Sequence, residues 1–375
     1  MLKGSIKLTL LMGPTIPVPV PQPVTDALEG VDVRHAAGQR SGFQLTFKFG
    51  NNSILNTALL LMGEIGPIVR VVLVATVNGV PHVLSDGVMT NHQVVPGIGD
   101  EQTSLAITGE DLTAVMNQID FTGIPYPAMP PSLRVLTILA KYAIYGMIPL
   151  VIPEIFMDVP VPTDRIPTQR GTDLAYIEEL AQEVGYIFYI EPGPLPGTNT
   201  AYWGPEIKIG VPQPALNTHM DNLTNVESLN FQFDAQQREL PVVFIQNALT
   251  KAPIPIPVPE IDILNPPLGL ISGIPSRIRQ INNTAQLSPI AAAGRGASRA
   301  ARSADAVRGD GSLDVLRYGH ILSARKLVGV RGAGTLYNGL YFVQSVTSRI
   351  QRGEFKQNFT LTRNGLISTV PVVMP

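Results

Sequence analysis

The residues best equipped for metal ligation or proton transfer are five histidines: His35, His82, His92, His219 and His320. None has a metal-ligand spacing to another histidine, so each reads as a structural or surface residue. Cysteine is absent, which removes disulfides, thiolate metal sites and thiol nucleophiles together. Neither a G-x-S-x-G elbow nor a phosphate-binding G-x-x-x-x-G-K loop occurs. The glycine-rich run Gly329–Gly334 (GVRGAG) has the wrong order for a dinucleotide fingerprint and reads as a loop between strands. Paired carboxylates could do glycosidase chemistry. However, Asp100 and Glu101 fall in a turn, and Glu178, Glu179 and Glu183 fall on a solvated helix face. Arg308-Gly309-Asp310 matches an adhesion tripeptide too short to carry weight. No cofactor is expected.

Binding chemistry has two candidates. Arg295, Arg299 and Arg302 recur at helical spacing in an Ala-rich stretch, Ser288–Val307, and could face nucleic acid in a channel or another subunit. With a net charge of −2, the intersubunit or solvated face is the better reading. Pro253, Pro255 and Pro257 lie in a Pro-rich, nearly uncharged segment, Lys251–Pro275, that favours extended conformation over helix. Its apolar content suits a surface covered by another chain or domain.

The elements that would position these residues are mostly strands. Gly and Pro number 34 each, which favours turns over long helices. Ser5–Met12 reads as a strand. Ser41–Phe49 alternates Phe43, Leu45, Phe47 and Phe49 on one face, and Ile68–Val74 is a β-branched run ending at an Asn78-Gly79 turn. Between about 111 and 220 the pattern becomes mixed. A helix is expected over Pro131–Met147, with Leu133, Leu136, Leu139 or Ala140, and Ala143 as its stripe and a stop near Pro149. A second is expected over Thr172–Val184, capped by Thr172 and ended by Gly185, before a strand at Tyr186–Ile190. Trp203, the sole tryptophan, reads as a core or interface anchor. Strands return from 221, where Leu229, Phe231 and Phe233 alternate, and the last β-region runs from Ser312 to Thr362.

One pattern occurs twice. Gly87–Leu112 and Tyr341–Leu366 align without a gap, placing Gly99 on Gly353, Leu105 on Phe359, Ile107 on Leu361 and Thr108 on Thr362. Each reads as a polar-tipped hairpin, so one chain carries two similar β-domains. Charged residues make up only 15% of 375, which points to extensive subunit interfaces covering the surface. No run approaches about 18 apolar residues, so stable membrane insertion is not expected.

Thr172–Gly193 (TDLAYIEELAQEVGYIFYIEPG) resembles the helix-strand signature of late-control-D-type tail proteins, the baseplate hubs of contractile phage tails and related injection systems. The stretch from Gly311, with Gly339, Tyr341, Val343 and Val346 in its hairpin, is similar to that family's last domain, and Ser104–Leu112 to its first-barrel ending. The resemblance implies an α+β, mainly β fold. Two tail-tube-like β-barrels (1–110 and 221–375, the second interrupted at 251–311) flank an α/β domain (111–220). It implies a homotrimer forming a pseudo-sixfold ring that joins the sixfold tail tube protein to a threefold central spike. Tape-measure and wedge proteins are further implied partners, and DNA is implied only in transit. The chain ends at Pro375, leaving no room for a lysozyme domain or triple-stranded β-helix, so the spike is expected to be a separate protein. The implied location is a virion baseplate or injection particle assembled in a prokaryotic cytoplasm. The implied role is structural, without catalysis. The alternatives are a cell-wall-degrading tail enzyme and the hub of a non-phage injection device.

Overall fold

The computed structural model of the chain describes residues 6–50, 68–97, 102–154, 159–163, 166–234, 239–246, 253–257, 266–271, 277–281, 296, 300 and 305–370. The fold is mainly β, built on one sheet of thirteen strands. Its first module comprises β1 (Ile6–Gly13), β2 (Val18–Pro19), helix α1 (Gln22–Ala27), β3 (Leu28–Ala36), β4 (Gly42–Phe49), β5 (Arg70–Val77), β6 (Val80–Val95) and β7 (Thr103–Asp111). The alternation read from the sequence decides which face is covered. Phe43, Leu45, Phe47 and Phe49 are all buried on β4, whereas β5, packed on both faces, is buried almost throughout. Asn78 and Gly79 both take positive φ (52° and 86°) and close the β5–β6 hairpin as a primed turn requires.

The inserted α/β unit contains α2 (Thr113–Met116), α3 (Pro131–Ala140), β8 (Met147–Val151), α4 (Asp173–Val184), β9 (Ile187–Pro192) and β10 (Asn199–Gly204), with the sheet order β8-β10-β9. Helix α4 begins and ends as the sequence predicts. Thr172 Oγ1 accepts from Ala175 N at 3.2 Å, and Gly185 takes the left-handed conformation at φ 77°. Helix α3 corrects the expectation twice. It stops at Ala140, before a short 3-10 turn and a left-handed Gly146, and Pro149 lies inside β8. Its buried stripe is Val135, Ile138 and Leu139, while Leu133 and Leu136 face outward. Arg134 takes the inward position the expected stripe denied it, donating to Met129 O (2.7 Å) and Tyr176 Oη (3.2 Å).

The second module starts at β11 (Gln213–Asn217), which pairs with a strand of that module although it falls in the range assigned to the α/β domain. β12 (Ser228–Phe233) follows. Then comes a separate three-stranded sheet of β13 (Glu239–Gln246), β14 (Pro253–Pro257) and β16 (Arg277–Ile281), with β15 (Gly269–Ile271) between the last two in sequence. The insertion therefore lies between Phe233 and Val307, wider at its start than the sequence suggests. The module resumes with β17 (Val307–Asp314), β18 (Leu327–Arg331), β19 (Gly339–Gln351) and β20 (Glu354–Arg363), and β21 (Leu366–Ser368) pairs with β15.

The two modules are copies at the level of register. β3-β4-β7-β6-β5 in the first corresponds to β12-β17-β20-β19-β18 in the second. Each hairpin carries one bulge in its first strand, at Thr90 between Met89 and Asn91, and at Gln344 between Val343 and Ser345. These bulges are 254 residues apart, the spacing of the gapless sequence alignment. Just before each bulge the same outward bond recurs, Met89 N to Val69 O and Val343 N to Lys326 O, both 2.9 Å. Across the hairpin, Gly109 opposes Met89 and Leu361 opposes Val343, a spacing of 252. The alignment thus holds for the first strand and slips by two residues in the second, because the connecting loop is two residues shorter in the second module. A slip of two preserves the face, which is why apolar residues still matched. Within the chain the modules join edge to edge through β19 and β3, and one core cluster unites Leu45, Leu73 and Ile107 with Val328, Tyr341 and Phe355.

Candidate functional site

The features available for function are sheet edges and one sheet face. β12 pairs with β17 on one side, and among the described residues nothing pairs with its other side. Asp234 N donates to Ala306 O at 2.9 Å, so even-numbered positions turn their main chain toward β17. The N–H and C=O groups of Leu229, Phe231 and Phe233 consequently point away from the sheet. β6 has a similar opening. β5 covers Val80–Val88, but along Asn91–Val95 only β7 is paired among the described residues, and all five are exposed. In the other module the corresponding half of β19 is covered by β3, and Val346, Ser348 and Ile350 are buried there.

The face of the large sheet opposite the core is polar and only sparsely charged. It presents Gln44, Thr46, Ser104 and Thr108 in the first module and Asn230, Ser312, Asn358 and Thr360 in the second. Several of its charges are paired: Arg349 with Asp32 (3.1 Å), Lys48 with Glu29 (2.8 Å), Arg308 with Asp310 (2.8 Å). Such a wall carries no strong field of either sign. The Arg308-Gly309-Asp310 tripeptide is part of strand β17 with its ends paired to each other, not a presented loop.

Titratable groups pack the first module and the joints it makes with the other units. His35 is half-buried with both ring nitrogens engaged: Nε2 donates to Leu84 O (2.7 Å) and Nδ1 accepts from Ser41 Oγ (3.0 Å). Loss of hydration lowers its pKa to about 4. His82 is also lowered, by burial and then by His320. Burial raises the Asp111 carboxyl, against hydrogen bonds from Thr113 and Ser41 N. Arg325 links three parts, stacking over Tyr189 at 4.3 Å and donating to Ala36 O at 2.9 Å from its position beside β18. Arg70, paired with Asp86 inside the first module, joins that module to the α/β unit by donating to Tyr145 O (2.8 Å) and Gly197 O (3.2 Å), and Asp86 accepts from Asn199 Nδ2 (2.9 Å). Sequence reading missed these joints, because a buried ion pair leaves no local pattern. No group of three or more metal-ligating side chains occurs among the described residues. Trp203 is fully buried and edge-on to Tyr186 (4.9 Å), a core anchor as expected.

Of the residues singled out from sequence, Arg295, Arg299 and Arg302 lie outside the described residues, as does most of the helix expected around them. Asp100 and Glu101 lie outside as well. Pro253, Pro255 and Pro257 form alternate positions of β14, an outer strand of the separate sheet. They are not brought to either open edge. Because proline has no N–H, the bonds to β13 run through Ile254 and Ile256, and the outer edge of β14 offers no donor at any proline position.

No protein-family model matches this sequence, and no curated protein matches it. Solved structures do share its fold. A tail protein from Neisseria meningitidis MC58 is similar at 12% identity and a TM-score of 0.61, over 96% of this chain and 98% of that one. The 43 kDa tail protein of prophage MuSo2 from Shewanella oneidensis is similar at 14% identity and 0.60, over 96% and 99%. The Escherichia coli c3393 protein is described as a type VI secretion component with structural similarity to T4 tail proteins gp27 and gp5. It is similar at 11% and 0.53, over 93% and 77%. The chain has the fold of phage tail proteins, and at these identities the likeness speaks to fold alone.

Proposed function

We propose that this chain is a structural baseplate hub of a contractile tail, of the late-control-D type. It would act as a homotrimer whose six modules form a ring between a sixfold tail tube and a threefold spike. The observation that carries the reading is the duplication. One chain holds two modules with the same strand order and the same bulge, already joined edge to edge, with β12 and the Asn91–Val95 half of β6 left open among the described residues. Three such chains present six equivalent modules on a threefold axis. The polar, low-charge face suits a channel wall along which DNA or protein slides without being held. Tape-measure and wedge proteins complete the proposed partners, and the proposed setting is a virion or injection particle. The likeness to a type VI component keeps the hub of a non-phage injection system as the alternative setting.

The reading assigns no catalysis to the chain. Its test is the mass in solution by light scattering, followed by electron microscopy. A stable particle of three times 40.3 kDa with six similar lobes is the expected result. A monomer that stays monomeric with the cognate spike and tube proteins would overturn it.

A further inference from the structure

The internal junction between modules supplies a template for a second junction. Gly109 faces Phe43, which faces Val33. In the other module Leu361 faces Gly309, which faces Phe231. Val33 of β3 and Phe231 of β12 are therefore counterparts, 198 residues apart. Likewise β19 follows β6 by 254 through the shared bulge. Inside the chain, β3 adds to β19 in a fixed antiparallel register: Val346 opposite His35, Ser348 opposite Val33, Ile350 opposite Val31. Ala37 N bonds Gln344 O at 2.8 Å, so odd-numbered positions of β3 turn their main chain toward β19. The counterparts of Val31, Val33 and His35 are Leu229, Phe231 and Phe233. These are the positions of β12 whose main chain points away from the sheet.

Resting on the ring reading above, we propose that β12 of one copy pairs antiparallel with the open half of β6 of the next. The register sets His92 opposite Phe233, Gln93 opposite Gln232, Val94 opposite Phe231 and Val95 opposite Asn230. The occupant is a second copy of this chain, because β12, the counterpart of β3, turns its main chain outward at the positions that the β3–β19 register uses. Side-chain chemistry agrees. On the core side Val94 meets Phe231 and His92 meets Phe233, the apolar and aromatic cross-strand pairs that stabilise sheets. On the polar side Gln93 meets Gln232, both exposed in the single chain. Pro96 lacks the N–H that Ile350 has at the same position of β19, so the ladder ends there. The contact is heterologous, head to tail, and repeats until it closes.

The chain's lack of cysteine makes the test direct. Gln93 and Gln232 form a pair whose main-chain groups point away from each other, the arrangement in which side chains approach most closely. The double variant Gln93→Cys/Gln232→Cys is oxidised at high protein concentration beside a control, Gln93→Cys/Asn230→Cys, which is out of register by two residues on the same face. The expected result is at least tenfold more cross-linking in the first, accumulating as a covalent trimer. Val94→Pro removes one outward N–H and leaves the β6–β7 ladder intact. It should lower the trimer fraction while Trp203 fluorescence stays native. A trimer that cross-links only in the control overturns the register and leaves the ring reading standing. In-register cross-links that build an open ladder without closing uphold the pairing and overturn the ring. A monomer that forms no cross-link overturns both.

Discussion

Replacing Arg70 with methionine should release the α/β unit from the first module. Arg70 is nearly sealed from solvent, and its guanidinium is fully engaged. Nε and Nη2 each donate to Asp86 at 2.7 Å, Nη2 also to Tyr145 O (2.8 Å) and Gly197 O (3.2 Å), and Nη1 to Thr15 O (3.0 Å). Asp86 is fully buried and also accepts from Asn199 Nδ2 at 2.9 Å. Arg70→Met therefore strands a buried carboxylate and several carbonyls. Breaking a buried pair from one side costs about 3–5 kcal/mol, a factor of roughly a hundred to several thousand in the unfolding constant. Arg70→Met/Asp86→Leu removes both charges and should cost less than Arg70→Met alone, because the dominant penalty is the orphaned charge rather than the lost pair. The sole tryptophan is the reporter, since Trp203 is buried in the α/β core. Urea unfolding followed by its fluorescence isolates that unit, while far-UV circular dichroism follows the strands. A shift below about 0.5 kcal/mol in the fluorescence transition, the level of an ordinary surface change, would refute the clamp. So would a double variant worse than the single one.

Two further outcomes follow from the packing of the first module. His35 is neutral in the fold, with a pKa lowered to about 4 from 6.5. Above pH 6.5 it is neutral folded or unfolded and has no effect on stability. As pH falls from 6.5 toward 4 the unfolded chain binds a proton that the fold refuses, so stability declines by up to roughly 3 kcal/mol. Denaturant titrations from pH 7 to 4 should show that slope, and His35→Gln should flatten it; an unchanged slope counts against the burial argument. Gly109→Ala should destabilise the first module by about 1–3 kcal/mol, because a Cβ there would lie 2.2 Å from Phe43 Cζ and 2.5 Å from the Val88 carbonyl oxygen. A melt by circular dichroism checks it, and an unperturbed midpoint would mean the Phe43 ring yields freely.

Local periodicity made much of the architecture readable. The Phe43–Phe49 alternation, the Asn78-Gly79 turn and the Thr172 cap each carry their structural cause within a few residues. Helix α3 departs from its apolar pattern because Leu133 and Leu136 are apolar yet exposed, while Arg134 points inward and finds partners in Met129 and Tyr176. Hydrophobicity alone cannot anticipate an arginine satisfied by a carbonyl brought to it by the fold. The repeat was legible in its first strand and displaced in its second, since an ungapped comparison has no means of seeing a two-residue loop deletion. The junctions made by Arg70, Arg325 and β19 with β3 join positions far apart in sequence, and nothing in a window of residues announces them. The candidate site depends on those junctions, so the sequence supplied its strands but not its edges.

Edge management separates a working surface from an accident. A long unpaired strand edge invites uncontrolled addition of other chains, and proteins suppress it with proline, charge or bulges. This chain suppresses one such edge: every second position of β14 is proline, so its outer side cannot donate. β12 is treated differently. Its outward positions are Leu229, Phe231 and Phe233, apolar residues with a full set of donors and acceptors. The open half of β6 keeps its N–H groups along Asn91–Val95 and meets proline only at Pro96, where pairing should end. Among the described residues two edges are left competent while a third is sealed, and the proposed pairing makes those two the complementary halves of one contact. The same duplication that copied β3 as β12 copied the contact β3 makes. A head-to-tail contact of this kind has only two fates, a closed ring or an open fibre. On the proposed ring, the duplicated module accounts both for the edges left open among the described residues and for a fixed number of copies closing them.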